Sequence, residues 1–404
     1  MNYKFELADH ISDYLPAIAG RSEFIIAEKE GGYTVINYVV QMADSFPDPN
    51  SASSAEERRN FILRRDCRGI IFDTTTGKVI AKRLHKFFNV NERDETQLHN
   101  IDFNEPHVIL EKLDGSMITP VVTTDGIRWG TKMGVTEVAL PVEEFIKSHP
   151  EYVDFVRMLI SDGITAIFEW CSRKQLIVID YGPADRLVLT AMRINKTGHY
   201  VQYDFMVRKA ELYGIPCVKA YEGTAENMQA LIDYTRDLIG EEGFVVRFDD
   251  GHMIKVKAEE YVRKHKAKES LSREKNVIEL LVTEKLDDIK GFLDAKDLER
   301  IRDFEGKFWI GVKDTADMLI DLRWLANREG HDVDRRTYAV NFVQSPSRDS
   351  KMAPFLYKMF DVKSPAEVFR LLTDVIAKSC STQAKINDVR WIFNCDWNEV
   401  VVDE

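Results

Sequence analysis

Residues 1–257 are predicted to form an α+β domain of mainly antiparallel sheets, and residues 258–404 an all-helical domain. Three observations lead there. Short β-branched and aromatic runs separated by tight turns fill the first two-thirds of the chain. No strand–Gly-rich loop–helix unit occurs, so neither a Rossmann nor a P-loop site is supported. From about Ala258 the alternation of strands gives way to helical spacing.

In chain order, Gly32 to Val40 reads as a strand, and Ser51 to Ala55 as a short loop. Gly69 to Asp73 and Lys78 to Lys82 flank Thr74-Thr75-Thr76-Gly77 as a hairpin. Val108 to Lys112 ends at Asp114-Gly115, Met117 to Thr123 runs back, and Asp125-Gly126 reverses the chain into Ile127 to Thr131. Later strands are expected at Ala166 to Trp170, Leu176 to Ile179, Leu187 to Ile194, Gly243 to Phe248 and Met253 to Lys257. Helical spacing interrupts them at Val142 to Ile146, Tyr152 to Ile160, Phe205 to Tyr213 and Ala225 to Ile239. Beyond Ala258 it marks Val277 to Val282 and Met318 to Leu325. Ser364-Pro365-Ala366-Glu367 reads there as a capping box ahead of Val368, Leu371, Leu372, Val375 and Ile376.

At 404 residues, with 44% hydrophobic and 30% charged, the chain has an ordinary globular balance and room for two cores. No run approaches the roughly 18–20 apolar residues that span a bilayer, so no membrane association is expected. Nor does the N-terminus read as a signal peptide. Five scattered cysteines without CxxC spacing or a histidine cluster suggest reduced thiols in a cytoplasmic protein, neither a disulfide framework nor a zinc site. A net charge of −12 weighs against coating nucleic acid through a global field. Local grooves can still dominate, since screening limits surface charges to about 8–10 Å. Lys82 to Lys86 and Lys255 to Arg273 are two such basic concentrations, each equally readable as a solvated face.

The chemistry centres on Lys112-Leu113-Asp114-Gly115. A lysine amine is a nucleophile only when unprotonated, and burial with neighbouring positive charge would favour that form. By itself a Lys-x-Asp-Gly is far more often a polar turn. Its company changes the reading: Glu169 inside an apolar strand, then Glu242-Gly243 opening another, then Lys255-Val256-Lys257. Period-2 geometry puts those last two lysines on one sheet face.

In this order the motifs resemble those of the covalent nucleotidyltransferases. Within that superfamily the chain resembles the bacteriophage-type ATP-dependent RNA ligase 1 family of tRNA repair. Cys67-Arg68-Gly69, Lys86-Phe87-Phe88-Asn89 and Arg336-Thr337-Tyr338-Ala339 carry the narrower likeness. The resemblance implies Lys112 as the adenylated nucleophile, with Arg68, Lys86, Lys255 and Lys257 on the ATP phosphates or the AMP. It implies Glu169 on the ribose, Glu242 assisting a metal or positioning the lysine, Tyr38 near the nucleotide and Phe88 lining the site. Lys132 would serve ligation, and Asp287 would be a metal position in the second domain. ATP with Mg2+, or Mn2+ in its place, would be the cofactors. The partners would be RNA ends bearing 5′-phosphate and 3′-hydroxyl, from cleaved tRNA or other single-stranded RNA, and the protein a monomer in the cytoplasm, the host's if phage-encoded. Two departures stand: Leu113 where related ligases carry an acidic residue, and no match in the first 30 residues. A DNA ligase or mRNA-capping guanylyltransferase shares the chemistry but continues after the last lysine motif into a β-barrel. A non-catalytic RNA-end-binding protein is the alternative from another class. Trp309 and Trp391 could stack on bases, although core packing is the commoner fate of tryptophan.

Overall fold

The computed structural model describes residues 4–398, apart from Ala43, Thr224, Ser347, Arg348 and Lys363. Its contacts divide into two units that part between Val262 and Arg263. The sequence expectation had drawn the line at Lys257, where the last strand ends.

In the first unit, alternating β-branched residues build three four-stranded sheets. Sheet one runs β1 (Phe24–Lys29), β2 (Tyr33–Tyr38), β3 (Ile70–Asp73), β4 (Val79–Ala81), all antiparallel. Next in the chain come β5 (Phe88–Asn89), β6 (His107–Glu111), β7 (Ser116–Thr123) and β8 (Gly126–Gly130). They are followed by β9 (Ile164–Cys171), β10 (Arg186–Ile194), β11 (Gly243–Phe248) and β12 (Met253–Lys257). Sheet two has the order β10-β9-β7-β8, and sheet three β5-β12-β11-β6 with only the short β5–β12 pair parallel. Hairpins and an antiparallel majority match the α+β expectation.

Each sheet buries one face against helices. Sheet two packs Phe168, Leu187 and Leu189 against Phe155 and Leu159 of helix Pro150–Ser161 and Met206 of helix Tyr203–Glu211. Sheet one covers Ile36, Ile70 and Phe72 with Tyr14 and Leu63 from helices Ile11–Ile18 and Ala55–Asp66. Full burial of such side chains contributes roughly 1.5–3 kcal/mol each.

Several expectations need correction. Leu176 to Ile179 is not a strand but a loop, because its backbone N–H groups are taken by a carboxylate, as described below. The helix expected over Ala225 to Ile239 is confined to Met228–Arg236, entered by an Asn227 side chain that accepts from Ala230 N–H at 3.0 Å. Strand β1 and helices Ile11–Ile18 and Ala55–Asp66 were not foreseen; Ser54, read as loop, is the cap of the last.

The second unit is helical. Its 34-residue helix Ala295–Arg328 presents Phe304, Phe308, Val312 and Leu319 to Val277, Leu356, Leu372 and Ile376. Ser364 caps helix Pro365–Ser379 by accepting from Glu367 N–H. Trp309 and Trp391 pack against this core, as tryptophan most often does. Among the described residues no helix is long and apolar enough to cross a membrane.

Candidate active site

Gly243 is the pivot of the site. In sheet three it pairs with Lys257, and its neighbour Phe244 pairs with Glu111. Its carbonyl accepts from Lys112 N–H at 2.8 Å. The backbone has φ +130°, and a Cβ would lie 2.1 Å from the Val256 carbonyl oxygen. Only glycine permits this approach. The ends of β6, β11 and β12 therefore converge. Glu242, with 3% of its surface exposed, puts Oε1 2.8 Å from Lys112 Nζ and 3.2 Å from Lys257 Nζ. A buried carboxylate is tolerable when paired in this way.

The Asp114-Gly115 pair does more than turn the chain. Asp114 Oδ2 accepts from Val178 and Ile179 N–H at 2.7 Å each, and Oδ1 accepts from the Tyr261 hydroxyl at 2.8 Å. Its own N–H donates to the Tyr181 hydroxyl at 2.8 Å. A Cβ on Gly115 would stand 2.3 Å from the Trp170 carbonyl oxygen, so glycine lets β7 press onto β9. Asp114 and Tyr261 thus hold the segment that carries Lys112 to a loop and to helix Glu259–Leu271. The sequence reading had Asp114 only as part of the turn after Lys112, and Tyr261 not at all.

Across from Lys112, Glu169 sits on β9 opposite Met117. Burial pushes its carboxyl up to about 8; Lys112 opposes the shift, while Glu242 and Asp114 reinforce it. The carboxylates of Glu242 and Glu169 are hard oxygen donors, the type that a divalent cation such as Mg2+ prefers. The donor set therefore fits Mg2+ or Mn2+. Among the described residues no cluster of three or more histidine, cysteine, aspartate or glutamate side chains is gathered as a metal cage.

The other wall is cationic. Arg68 precedes β3, Lys86 precedes β5, Lys132 follows β8, and Tyr38 ends β2. Gly69, with φ +80°, leaves room for the Lys132 backbone, whose oxygen would be 2.4 Å from a Cβ there. Lys86 Nζ lies 3.4 Å from the Tyr38 hydroxyl and 5.3 Å from its ring centre. Burial lowers the Lys86 pKa, helped by Arg68 and opposed by Tyr38. Burial holds Lys255 well below the usual lysine range, reinforced by Arg68, Lys112, Lys86 and Lys257; its Nζ lies 4.7 Å from the Phe87 ring centre. Burial would raise Tyr38, yet Arg68, Lys86 and Lys132 outweigh it and bring its pKa below the ordinary phenol value. One guanidinium nitrogen of Arg68 is buried without a hydrogen-bond partner. So dense a positive cluster is costly unless an anion occupies it.

The structure thus brings Tyr38, Arg68, Lys86, Lys112, Lys132, Glu169, Glu242, Lys255 and Lys257 into one connected set of electrostatic neighbours. Phe88 is 1% exposed, in the core beneath Lys86, so its ring supports that lysine instead of lining the cleft. Asp287 belongs to the second unit, on helix Leu286–Lys290, where it forms an ion pair with Lys290 at 2.9 Å.

Comparison with known proteins gives the chain a family. Residues 66–271, just over half of the chain, match the RNA ligase family typified by T4 RNA ligase 1. Residues 268–386 match the T4 RNA ligase 1 C-terminal domain. The chain is 29% identical over 252 residues to a putative RNA ligase of Thermovibrio ammonificans, covering 61% of each protein. It is 25% identical over 279 residues to a putative bifunctional polynucleotide kinase/RNA ligase of Autographa californica nuclear polyhedrosis virus, covering 60% of this chain and 38% of that one. It therefore spans about three-fifths or less of the length of these curated relatives. Among solved structures, an archaeal ATP-dependent RNA ligase is similar at 15% identity and TM-score 0.42, over 65% of this chain and 64% of the other. A Naegleria gruberi RNA ligase variant with ATP and Mn is similar at 13% identity and TM-score 0.38, over 46% and 58%. The motif matches across both units identify the chain as a member of the RNA ligase family typified by T4 RNA ligase 1.

Proposed function

We propose that the protein is an ATP-dependent RNA ligase that joins 5′-phosphate and 3′-hydroxyl RNA ends through a lysyl-AMP at Lys112. The observation that carries this reading is the Lys112–Glu242–Lys257 bridge beside a cluster of buried cations. In the first displacement Lys112 Nζ forms a bond to the α-phosphorus of ATP and pyrophosphate leaves. Glu242, 2.8 Å away, orients the amine and is the acceptor within reach of its proton. Arg68, Lys86, Lys255 and Lys257 neutralise the phosphates, the electrostatic contribution that phosphoryl transfer most requires. Glu169, whose carboxyl burial pushes up to about 8, offers a donor and an acceptor to the ribose hydroxyls while it holds its proton. A divalent cation held by Glu242 and phosphate oxygens would supply further charge neutralisation at the α-phosphate. In the second displacement a 5′-phosphate oxygen takes the AMP from Lys112. In the third, a 3′-hydroxyl attacks that phosphate, assisted by Lys132, and AMP leaves.

Two further parts of the reading rest on the family. The helical second unit selects the RNA, a cleaved tRNA or another broken single strand, whose unstacked bases and 2′-hydroxyls offer recognition. The enzyme acts as a monomer in the cytoplasm, in RNA repair. The helical character of residues 263–398 counts against a DNA ligase or capping enzyme. The test is incubation with α-labelled ATP and Mg2+, followed by RNA bearing both ends. An acid-stable adduct that is discharged onto RNA supports the reading; an adduct discharged only onto DNA or a 5′-diphosphate end refutes it.

A further inference from the structure

Immediately after Tyr38 the chain carries three large apolar side chains in the open. Val39 and Val40 are each 55% exposed and Met42 44%. Hydrogen bonds fix the described residues around them. Buried Glu23 accepts from Arg21 Nε at 2.8 Å and from the Ser45 hydroxyl at 3.1 Å. Ser45 Oγ in turn accepts from Met42 N–H at 2.8 Å, and Val39 N–H donates to the Glu23 carbonyl at 2.9 Å. Arg21 also reaches the Asp44 carbonyl at 2.8 Å and its carboxylate at 2.9 Å. At the base, Phe46 packs edge-on to Tyr38 with ring centres 5.1 Å apart, and both rings lie against Lys86 Nζ.

A loop free to collapse would tuck these side chains away. Here a buried carboxylate and a network of hydrogen bonds keep them in water instead, at a cost in hydration for each. Their neighbours decide what would cover them. Lys86 and Lys132 both lie within 6.0 Å of the Tyr38 ring centre, and with Arg68 they lower the pKa of its hydroxyl. An apolar protein surface would have to strip water from these ammonium groups without compensation. A polynucleotide would supply phosphates to the cations and base faces to the apolar side chains.

We infer that Val39, Val40 and Met42 form the apolar shelf on which the RNA strand being sealed lays its bases as its end enters the cleft past Lys132. The inference rests on the ligase reading above. It concerns RNA binding alone, so the shelf contributes to the steps that use RNA and not to the attack of Lys112 on ATP.

The test uses the full chain with Val39→Asn, Val40→Asn and Met42→Gln combined, each exposed and outside the groups that act on ATP. Lys–AMP formation from α-labelled ATP is expected to stay within about twofold of the unsubstituted protein. KM for a 5′-phosphate, 3′-hydroxyl oligoribonucleotide is expected to rise about tenfold, because polar side chains of similar size lose the apolar contact with the bases. Unchanged KM with normal adduct formation would overturn the shelf. Absence of adduct in the unsubstituted protein would instead overturn the ligase reading. A second measurement needs no variant: RNA carrying 4-thiouridine near its end is irradiated with the unsubstituted protein. Cross-links mapping to residues 38–46 support the shelf, and cross-links confined elsewhere contradict it.

Discussion

Lys112 and Lys257, 145 residues apart in sequence, converge on a single oxygen, Glu242 Oε1, at 2.8 and 3.2 Å. That oxygen fixes where the Lys112 amine stands. Replacing Glu242 with Gln keeps the shape but removes the charge, leaving two ammonium groups side by side among other cations. Lys–AMP formation is expected to slow about 100-fold, the scale of a positioned acid–base group. Labelled-adduct kinetics check this, with far-ultraviolet circular dichroism to verify the fold.

Glu169 makes a pH-dependent prediction. Its folded pKa of about 8 lies above the ordinary carboxylate value of 4.5, so the folded state retains a proton that the unfolded chain releases. Its contribution is therefore most favourable at low pH and is lost as pH rises from about 4.5 through 8. Glu169→Gln removes this titration. The variant's Tm is expected to rise relative to the parent across that window and to level off above it. Parallel melting curves from pH 5 to 9 measure the difference.

Gly243→Ala would force a Cβ to within 2.1 Å of the Val256 oxygen at a φ that side chains rarely adopt. A loss of about 2 kcal/mol or more is expected, since both backbone strain and strand displacement contribute. The shift in denaturation midpoint reads the stability, and the labelled adduct should fail together with it.

Tyr261→Phe removes the hydroxyl that donates to Asp114 Oδ1 at 2.8 Å and leaves the ring under Lys257, 5.1 Å from its Nζ. Stability should fall by only about 1 kcal/mol. Adduct formation should fall about tenfold, because Asp114 anchors the segment that carries Lys112. A rate unchanged within twofold would mean that the Asp114 loop contacts suffice alone.

Much of this was legible in the sequence for local reasons. Lys255 and Lys257 share a face because strands alternate, and β12 shows that pattern of burial. The charges around Lys112 could be listed from motif order. What stayed hidden was non-local. Tyr261 matters because it meets Asp114 across 147 positions. Helix Ala55–Asp66 reads as polar because its buried end includes Arg64, Arg65 and Asp66 beside Ile62 and Leu63. These are satisfied by distant partners: Arg65 by Glu95 at 2.7 Å, and Asp66 by Arg193 at 2.7 Å. Leu176 to Ile179 has the look of a strand, but a side-chain carboxylate took the hydrogen bonds that a neighbouring strand would have made. Val39 and Val40 read as the tail of a strand that ends at Tyr38, because the groups that fix the chain there lie at Arg21 and Glu23.

The central claim is that one lysine carries the nucleotide. Peptide mapping by mass spectrometry after incubation with ATP and Mg2+ tests it directly. The expected result is AMP on Lys112, absent in Lys112→Ala while the variant's fold is retained. AMP on another residue, or an adduct that persists in Lys112→Ala, would contradict it.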